Sequence, residues 1–388
     1  MKYNFDEIID RKNSNSVKFD WLEGKFGADD VIPLWVADMD FRIAQPILDA
    51  LRSRLDHGVF GYALRPTEYE DAIISWQERR NGWEIQDKSL ISFSIGVIPS
   101  ITTLVRMFAK PGEKILIQPP VYPGFFSICK NTEVEILENR LIEKEGIFHF
   151  DAEDFELKLK EGPKAFILCN PQNPTGHVWR REELKTMGDL CIKYGVPIIS
   201  DEIHGDLILF GNKHIPMATV SAEIAEQTIT CTAPTKTFNI AGIQGSYVIF
   251  NNHQVKKEYD NRWYDVDISA LSLAAILAAY SDGEKWLDQL IAYLEDNMKF
   301  VKEFCEAEIP QVKVSLPEAT YLMWLDFRGL GLKGKELEDF LIHRAKLGMN
   351  AGPDFDSRLS EHMRLNAACP RETLRKALNQ LRDAIKSL

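Results

Sequence analysis

Four short apolar runs, each followed by turn-forming residues, constrain the fold of this chain more than any other feature of the sequence. They are Lys114–Gln118, Ala165–Cys169, Val196–Ser200 and Thr228–Thr232. A segment with helical periodicity, roughly Arg181–Tyr194, separates the middle two runs. Buried runs that alternate with helices are typical of βαβ units. The sequence therefore predicts an α/β fold with a mostly parallel sheet between helices.

The organisation of the chain changes twice along its length, and 388 residues are enough for two domains. Residues 1–45 mix Asp, Lys, Asn and Gly and predict an irregular N-terminal arm. Residues 46–283 contain the four apolar runs and predict a large domain. Residues 284–388 begin with a long amphipathic helix and continue with two strands and two helices. We expect this last part to be a smaller α+β domain against which the arm packs.

The charge and the cysteines exclude several classes of protein. The formal net charge is −12, from 46 basic and 58 acidic residues, so a nucleic-acid partner is not expected. The six cysteines are scattered without a Cys-x-x-Cys motif, and this favours free thiols in a reducing compartment and no metal site. The longest apolar stretch, residues 268–280, is too short to cross a membrane. We expect a cytoplasmic protein.

Polar residues follow three of the predicted strands. The second run is followed by Asn170-Pro-Gln-Asn-Pro-Thr-Gly176, the third by Asp201-Glu-Ile-His204, and the fourth by Ala233-Pro-Thr-Lys-Thr-Phe-Asn239. Each segment alone is ordinary, because such residues often form a turn, cap a helix or lie on the surface. Ligands of parallel α/β sheets, however, bind at the carboxyl ends of the strands. The three segments together therefore predict a binding site with an Asn, an Asp and a Lys.

Six motifs carry a resemblance to a known family. They are Trp35-Val-Ala-Asp-Met-Asp-Phe41, His57-Gly-Val-Phe-Gly-Tyr62, Pro119-Pro-Val-Tyr-Pro-Gly-Phe125, Ser200-Asp-Glu-Ile-His204, Ala233-Pro-Thr-Lys-Thr-Phe-Asn239 and Arg364-Leu-Asn-Ala-Ala-Cys-Pro370. The chain resembles the fold-type I pyridoxal-phosphate (PLP) enzymes of the aspartate aminotransferase superfamily. Within them it is most similar to the MalY/PatB-type cystathionine β-lyases, or C–S lyases. The motifs extend from residue 35 to residue 370, so the resemblance covers nearly the whole chain.

The resemblance implies that pyridoxal 5'-phosphate is the cofactor and assigns the residues around its ring. Lys236 binds the cofactor through its amine and moves the Cα proton of the substrate. Asp201 keeps the pyridine nitrogen protonated, Asn173 donates a hydrogen bond to the ring oxygen, and Tyr122 stacks on the ring. The Asn173–Pro174 peptide bond is expected to be cis.

The phosphate group of the cofactor needs amides and hydroxyls. Gly96, Val97 and Ile98 precede or begin a segment with helical periodicity, and a helix N-terminus binds anions. Without the segment that contains Lys236, a plain strand-to-helix turn would be the favoured explanation of these residues. Thr235 is the expected hydroxyl donor.

Three positions depart from the aminotransferase pattern. Ala233 replaces a hydroxyl residue, and Gln244 replaces an Arg that often contacts the phosphate. His204 stands where aminotransferases have a Tyr near the ring, and this favours the lyase branch. We expect His204 to contact the cofactor, although a packed or capping histidine is a serious alternative.

The resemblance also assigns the substrate contacts. Arg364 binds the α-carboxylate of an amino acid, a task that suits a planar guanidinium. The motif that contains Asp38 forms the wall beside the substrate side chain. Tyr62 reaches the active site of the neighbouring subunit, so the resemblance implies a homodimer with shared sites.

The implied reaction is β-elimination of cystathionine or a related cysteine S-conjugate, which yields a thiol such as homocysteine, pyruvate and ammonia. Two alternatives stay open. One is a class I/II aminotransferase, and the other is a regulatory binding protein with a vestigial PLP site. The intact set of Asn173, Asp201, Lys236 and Arg364 argues against the second alternative. The sequence does not show which sulfur amino acid is preferred. It also does not show whether transamination or racemisation occurs as a side reaction, or whether the protein has a second regulatory role.

Overall fold

The computed structural model describes residues 2–263 and 266–388, and its strands form two main sheets. The strands are Ile32–Pro33 (β1), Ile91–Ser94 (β2), Lys114–Ile117 (β3), Glu135–Glu138 (β4), Ile142–Lys144 (β5), Ile147–His149 (β6), Ala165–Cys169 (β7), Ile198–Asp201 (β8), Thr228–Thr232 (β9), Ser246–Ile249 (β10), Lys313–Val314 (β11), Leu322–Asp326 (β12), Leu347–Gly348 (β13), Asn350–Ala351 (β14) and His362–Asn366 (β15). The large sheet has seven strands in the order β2-β10-β9-β8-β7-β3-β4. The smaller sheet has the order β11-β12-β15-β14 and is antiparallel throughout.

Helices surround these sheets. They are Val17–Asp20 (α1), Leu22–Phe26 (α2), Gln45–His57 (α3), Thr67–Asn81 (α4), Val97–Phe108 (α5), Pro123–Asn131 (α6), Ala152–Lys160 (α7), Arg181–Tyr194 (α8), Ala222–Gln227 (α9), Pro234–Thr237 (α10), His253–Asp260 (α11), Ala270–Asp282 (α12), Glu284–Glu308 (α13), Lys335–Asp339 (α14) and Arg371–Ile385 (α15). Helix α8 illustrates how the sequence sets its ends. The Glu183 carboxylate accepts a hydrogen bond from the Arg180 amide at the first turn, and Gly195, with φ +66°, ends the helix.

The predicted α/β architecture is confirmed. Strands β7 and β9 and helix α8 have the predicted bounds, and all strands of the large sheet are parallel except β10. Strand β10 was not predicted from the sequence. Its residues are buried on both faces, like those of its parallel neighbours, so the pattern of apolar residues carries no information about its direction.

The arm is less irregular than its composition predicts, because α1, α2 and β1 lie within it. Strand β1 pairs in parallel with β13, so residues of the arm contact the C-terminal part of the chain. A single apolar cluster includes Phe5, Tyr247 and Leu365, one residue from each of the three predicted parts. Gly283, the predicted last residue of the large domain, lies between α12 and α13. We keep the boundaries at residues 45 and 283 as a proposal.

Two properties bear on the environment of the protein. All six cysteines are buried and none forms a disulfide. Among residues 2–263 and 266–388, no helix combines the length and the apolar character that crossing a bilayer requires.

Candidate active site

The carboxyl ends of the central strands lie side by side. Asp201, the last residue of β8, is aligned with Cys169 at the end of β7 and with Cys231 near the end of β9. The loops that carry Asn173 and Lys236 therefore leave the sheet at the same edge as Asp201. Strand β2 is parallel to β9, since both are antiparallel to β10, so the first turn of α5 also lies at this edge. The predicted strand-end residues thus lie at one edge of the sheet, where ligands of such sheets bind.

Lys236 lies in the short helix α10 and is half-buried. Its Nζ atom donates a hydrogen bond to the backbone carbonyl oxygen of Ala37 at 2.6 Å. Burial lowers the pKa of the amine to about 8, although the nearby Asp38 carboxylate acts in the opposite direction. An unprotonated fraction of the amine is therefore present near neutral pH.

Asp201 is a buried carboxylate, with 5% of its surface exposed. It accepts a hydrogen bond from the Ile203 amide at 3.2 Å, and no lysine or arginine of the described residues forms an ion pair with it. Burial raises its pKa to about 7. A cationic N–H group of a ligand would stabilise the ionised carboxylate, and a protonated pyridine nitrogen has this character.

Arg364, on β15, is a buried guanidinium with three neutral acceptors. It donates to Asn173 Oδ1 at 3.1 Å, to the Trp35 carbonyl oxygen at 3.1 Å and to Asn350 Oδ1 at 2.8 Å. Its Cζ atom lies 4.9 Å from the centre of the Phe355 ring. Burial lowers its pKa to about 10. Its Nε atom is buried without a partner, and no carboxylate in the described part of the chain pairs with it. The arrangement fits a carboxylate from a ligand.

The first turn of α5 supplies amides to the same edge. Gly96 caps this helix, and the hydroxyl groups of Ser94 and Ser100 both donate to its carbonyl oxygen, at 3.2 and 3.0 Å. The amides of Val97 and Ile98 belong to the first turn, where no intrahelical acceptor exists, and are therefore available to an anion. The buried Thr235 occupies the first turn of α10.

Tyr122 and His204 are the other two residues predicted to contact the cofactor ring. Tyr122 precedes α6, and burial raises the pKa of its phenol. His204 is buried against the edge of the Tyr321 ring, with 5.9 Å between the ring centres. Its Nδ1 atom has no hydrogen-bond partner among the described residues. Burial and the positive charges of Lys236 and Arg364 lower its pKa to about 3, so the imidazole is neutral.

The structure places Asp38 and Tyr62 differently from the other predicted residues. The Asp38 carboxylate is already paired with Arg11 at 2.8 Å and with Lys18 at 3.6 Å. Tyr62 is 98% exposed in the single chain. Their assignment to substrate binding stays a prediction.

Three side chains around the site were not predicted from the sequence. The Tyr321 hydroxyl donates to the Ala37 carbonyl oxygen at 2.8 Å, and the Asn366 amide donates to the carbonyl oxygens of residues 36 and 38. The third is Asn350, which accepts a hydrogen bond from Arg364. Asn366 belongs to the Arg-Leu-Asn motif, which was the available signal, whereas Tyr321 carried none beyond its place at the start of a predicted strand. The Asn173–Pro174 bond is cis, as expected.

One group of side chains that could ligate a metal lies outside this site. Atoms of Glu143, Asp326 and His362 lie within 4.8 Å of one another. The guanidinium of Arg328 already bridges the two carboxylates.

A half-buried lysine, a buried carboxylate and a guanidinium without a counter-ion, at the carboxyl edge of a mostly parallel sheet, define a fold-type I PLP-dependent enzyme. Comparisons with known proteins agree. The family model "Aminotransferase class I and II" matches residues 29–381, and this chain belongs to that family. Its lyase-type relatives include "Cystathionine beta-lyase PatB" of Bacillus subtilis (strain 168), which is 42% identical over 98% of this chain and 100% of the relative.

Two further similarities extend over whole chains. "Protein MalY" of Escherichia coli (strain K12) is 33% identical over 100% of both chains. The structure of cystalysin from Treponema denticola, which contains a pyridoxal 5'-phosphate cofactor, superposes with a TM-score of 0.96 at 36% identity and covers 100% of both chains. The resemblance to the MalY/PatB type is confirmed.

The electrostatics of His204 can be measured directly. We expect its imidazole NMR signals to stay at neutral-form positions from pH 8 down to pH 5, because burial and two nearby positive charges oppose protonation. The signals are assigned by their loss in His204→Asn. A titration midpoint between pH 5 and pH 7 would contradict this account of the site.

Proposed function

We propose that this protein is a PLP-dependent C–S lyase that cleaves cystathionine or a related cysteine S-conjugate to a thiol, pyruvate and ammonia. The observation that carries the proposal is the buried group of Lys236, Asp201 and the unpaired Arg364 in a chain that is 42% identical to a cystathionine β-lyase. Each of these buried groups has a stabilising partner in a PLP–amino acid complex.

The cofactor would be held by residues already at the sheet edge. PLP, when bound, supplies an electron sink for a carbanion at Cα. Asp201 would keep its pyridine nitrogen protonated, Tyr122 would stack on its ring, and Asn173 would donate an amide hydrogen to the ring oxygen. The Oδ1 atom of Asn173 already accepts from Arg364, so its NH₂ group is the part left for the cofactor. His204, which is neutral and buried, would contact the ring.

The phosphate of the cofactor would lie at the first turn of α5. The amides of Val97 and Ile98, which follow Gly96, belong to the N-terminal and therefore positive end of a 12-residue helix. Thr235 adds a hydroxyl group from the first turn of α10.

Two side chains act on the substrate. Arg364 binds the α-carboxylate and so fixes the orientation of the Cα–H bond. The Lys236 amine removes the Cα proton, a role that its lowered pKa allows near neutral pH. The sulfur then leaves from Cβ as a thiolate, which is a good leaving group. We place Asp38 and its neighbours at the wall beside the sulfur substituent.

The aminotransferase alternative shares every residue up to the carbanion and differs only in the fate of that carbanion. The identity to a cystathionine β-lyase and His204 at the position of the aminotransferase Tyr favour elimination. A vestigial regulatory site is disfavoured, because a binding module does not need a buried amine of lowered pKa.

We also propose a homodimer in which Tyr62 serves the neighbouring site. Support comes from an exposed apolar segment in residues 55–64, whose large side chains are 53–98% exposed. Free, buried cysteines support a location in the cytoplasm.

The reaction is tested by product analysis. Cystathionine should yield homocysteine, pyruvate and ammonia in equal amounts without any keto acid, because expulsion of the thiolate needs no amino-group acceptor. Alanine, which has no leaving group, is the control and should give no pyruvate at a comparable rate. Turnover that depends on a keto acid and releases no ammonia would favour the aminotransferase.

The attachment of the cofactor is tested by chemical mapping. After borohydride treatment of the yellow holoenzyme, peptide mass spectrometry should find the pyridoxyl group on Lys236 alone. Lys236→Ala should lose turnover by at least about 10³-fold, because it removes both the attachment and the proton acceptor. A pyridoxyl group on another lysine would refute the assignment.

The shared site is tested with hybrid dimers. Lys236→Ala and Tyr62→Ala are each expected to be impaired, but a mixture of the two should regain about a quarter of wild-type activity, because one site of each hybrid then combines an intact Lys236 with an intact Tyr62. If Tyr62 acts within its own chain, mixing restores nothing.

A further inference from the structure

The carbonyl oxygen of Ala37 receives two functional donors. The Lys236 amine lies 2.6 Å from it, and the Tyr321 hydroxyl lies 2.8 Å from it. Tyr321 is buried, with 1% of its surface exposed, and its hydroxyl has no second acceptor among the described residues. For the Lys236 amine, likewise, Ala37 is the acceptor that the structure shows.

The position of this carbonyl is fixed from both sides. Asn366 donates to the carbonyl oxygens of Val36 and Asp38 at 2.7 and 2.6 Å, and Arg364 donates to that of Trp35 at 3.1 Å. The backbone of residues 35–38 is therefore held on the smaller sheet, and the Ala37 carbonyl cannot turn away when one of its two donors is lost. Loss of the tyrosine hydroxyl would change the hydrogen bonding of the carbonyl but not its place.

We propose that Tyr321 is a positioning residue for Lys236. Its hydroxyl occupies one side of the Ala37 carbonyl oxygen, to which the lysine amine donates a hydrogen bond when the amine is not bonded to the cofactor. The inference rests on the proposed role of Lys236 as the base and adds a residue that controls it. A carbonyl oxygen has two lone pairs. With one taken by Tyr321, the amine is directed to the other.

Sharing the acceptor also affects the charge of the amine. A hydrogen bond from the ammonium form to the carbonyl stabilises the protonated state, and a second donor on the same oxygen weakens that bond. Tyr321 thereby acts in the same direction as burial. Burial raises the pKa of its own phenol, so it remains a neutral donor in the physiological range.

Other charged or titratable groups face the amine, and all remain when the hydroxyl is removed. Asp38 in the arm and Asp201 on β8 favour the ammonium, whereas Arg364 on β15 opposes it. His204, in the loop after β8, is neutral. A change in the hydroxyl of Tyr321 therefore isolates the effect of the shared carbonyl.

The test is Tyr321→Phe, which keeps the ring against His204 and removes only the hydroxyl. In the full-length, cofactor-free protein, the rate of acetic anhydride labelling of Lys236, measured by peptide mass spectrometry against pH, should give a pKa higher than that of the wild type by about 0.5. In the holoenzyme, the apparent pKa of the low-pH limb of the kcat profile for cystathionine should also rise. KM should change less than about twofold, because Arg364 keeps its contacts.

Two further variants make the result decisive. Tyr280→Phe is the matched control, since it removes a buried hydroxyl that bonds to Tyr247 and not to Ala37. It should leave the labelling curve of Lys236 unchanged. Tyr321→Leu removes the hydroxyl together with the ring and should raise the pKa as Tyr321→Phe does.

The proposal would be overturned if a folded Tyr321→Phe protein gave the same labelling curve as the wild type. It would also be overturned if only Tyr321→Leu raised the pKa of Lys236, because that result would indicate an effect of packing. This readout needs neither cofactor nor substrate. A protein that fails to cleave cystathionine while Tyr321→Phe still raises the pKa of Lys236 would refute the proposed reaction and leave the positioning role standing.

Discussion

The alignment of parallel strands is the constraint on which the site depends. A parallel ladder fixes where each neighbouring strand ends, and here it places Asp201 between the ends of β7 and β9. Because the alignment fixes where each loop at this edge begins, residues that are far apart in sequence lie close together there. The antiparallel β10 does not disturb this edge, because it starts here where its neighbours end.

The site concentrates groups that a stable protein normally avoids burying. Burial favours the neutral form of all three groups: it lowers the pKa of Lys236 and of Arg364 and raises the pKa of Asp201. Isolated buried charges are costly, and the effective penalty is of the order of several kcal/mol per ion. Hydrogen bonds offset part of this cost: Lys236 and Arg364 donate to backbone and amide oxygens, and Asp201 accepts from the Ile203 amide. The remainder is relieved when a ligand supplies the missing charges, which is how such a site acquires affinity.

Much of the fold could be predicted because its signals are local. Apolar runs predicted β7 and β9, and helical periodicity predicted α8. The direction of β10 and the pairing of β1 with β13 could not be predicted in the same way. Both depend on which distant segment supplies the hydrogen-bond partner, and buried strands of either direction have the same apolar pattern.

The sequence by itself determined which polar residue types follow successive strands, namely Asn173, Asp201 and Lys236, and its motifs indicated PLP chemistry through their resemblance to a known family. The tertiary structure alone decided what surrounds those residues. The Ala37 carbonyl and Lys236 are 199 positions apart, and Tyr321 is 284 positions from that carbonyl. A backbone acceptor leaves no mark in the sequence, because every residue has one. Its partners become known only when the chain has folded and the arm lies against both sheets.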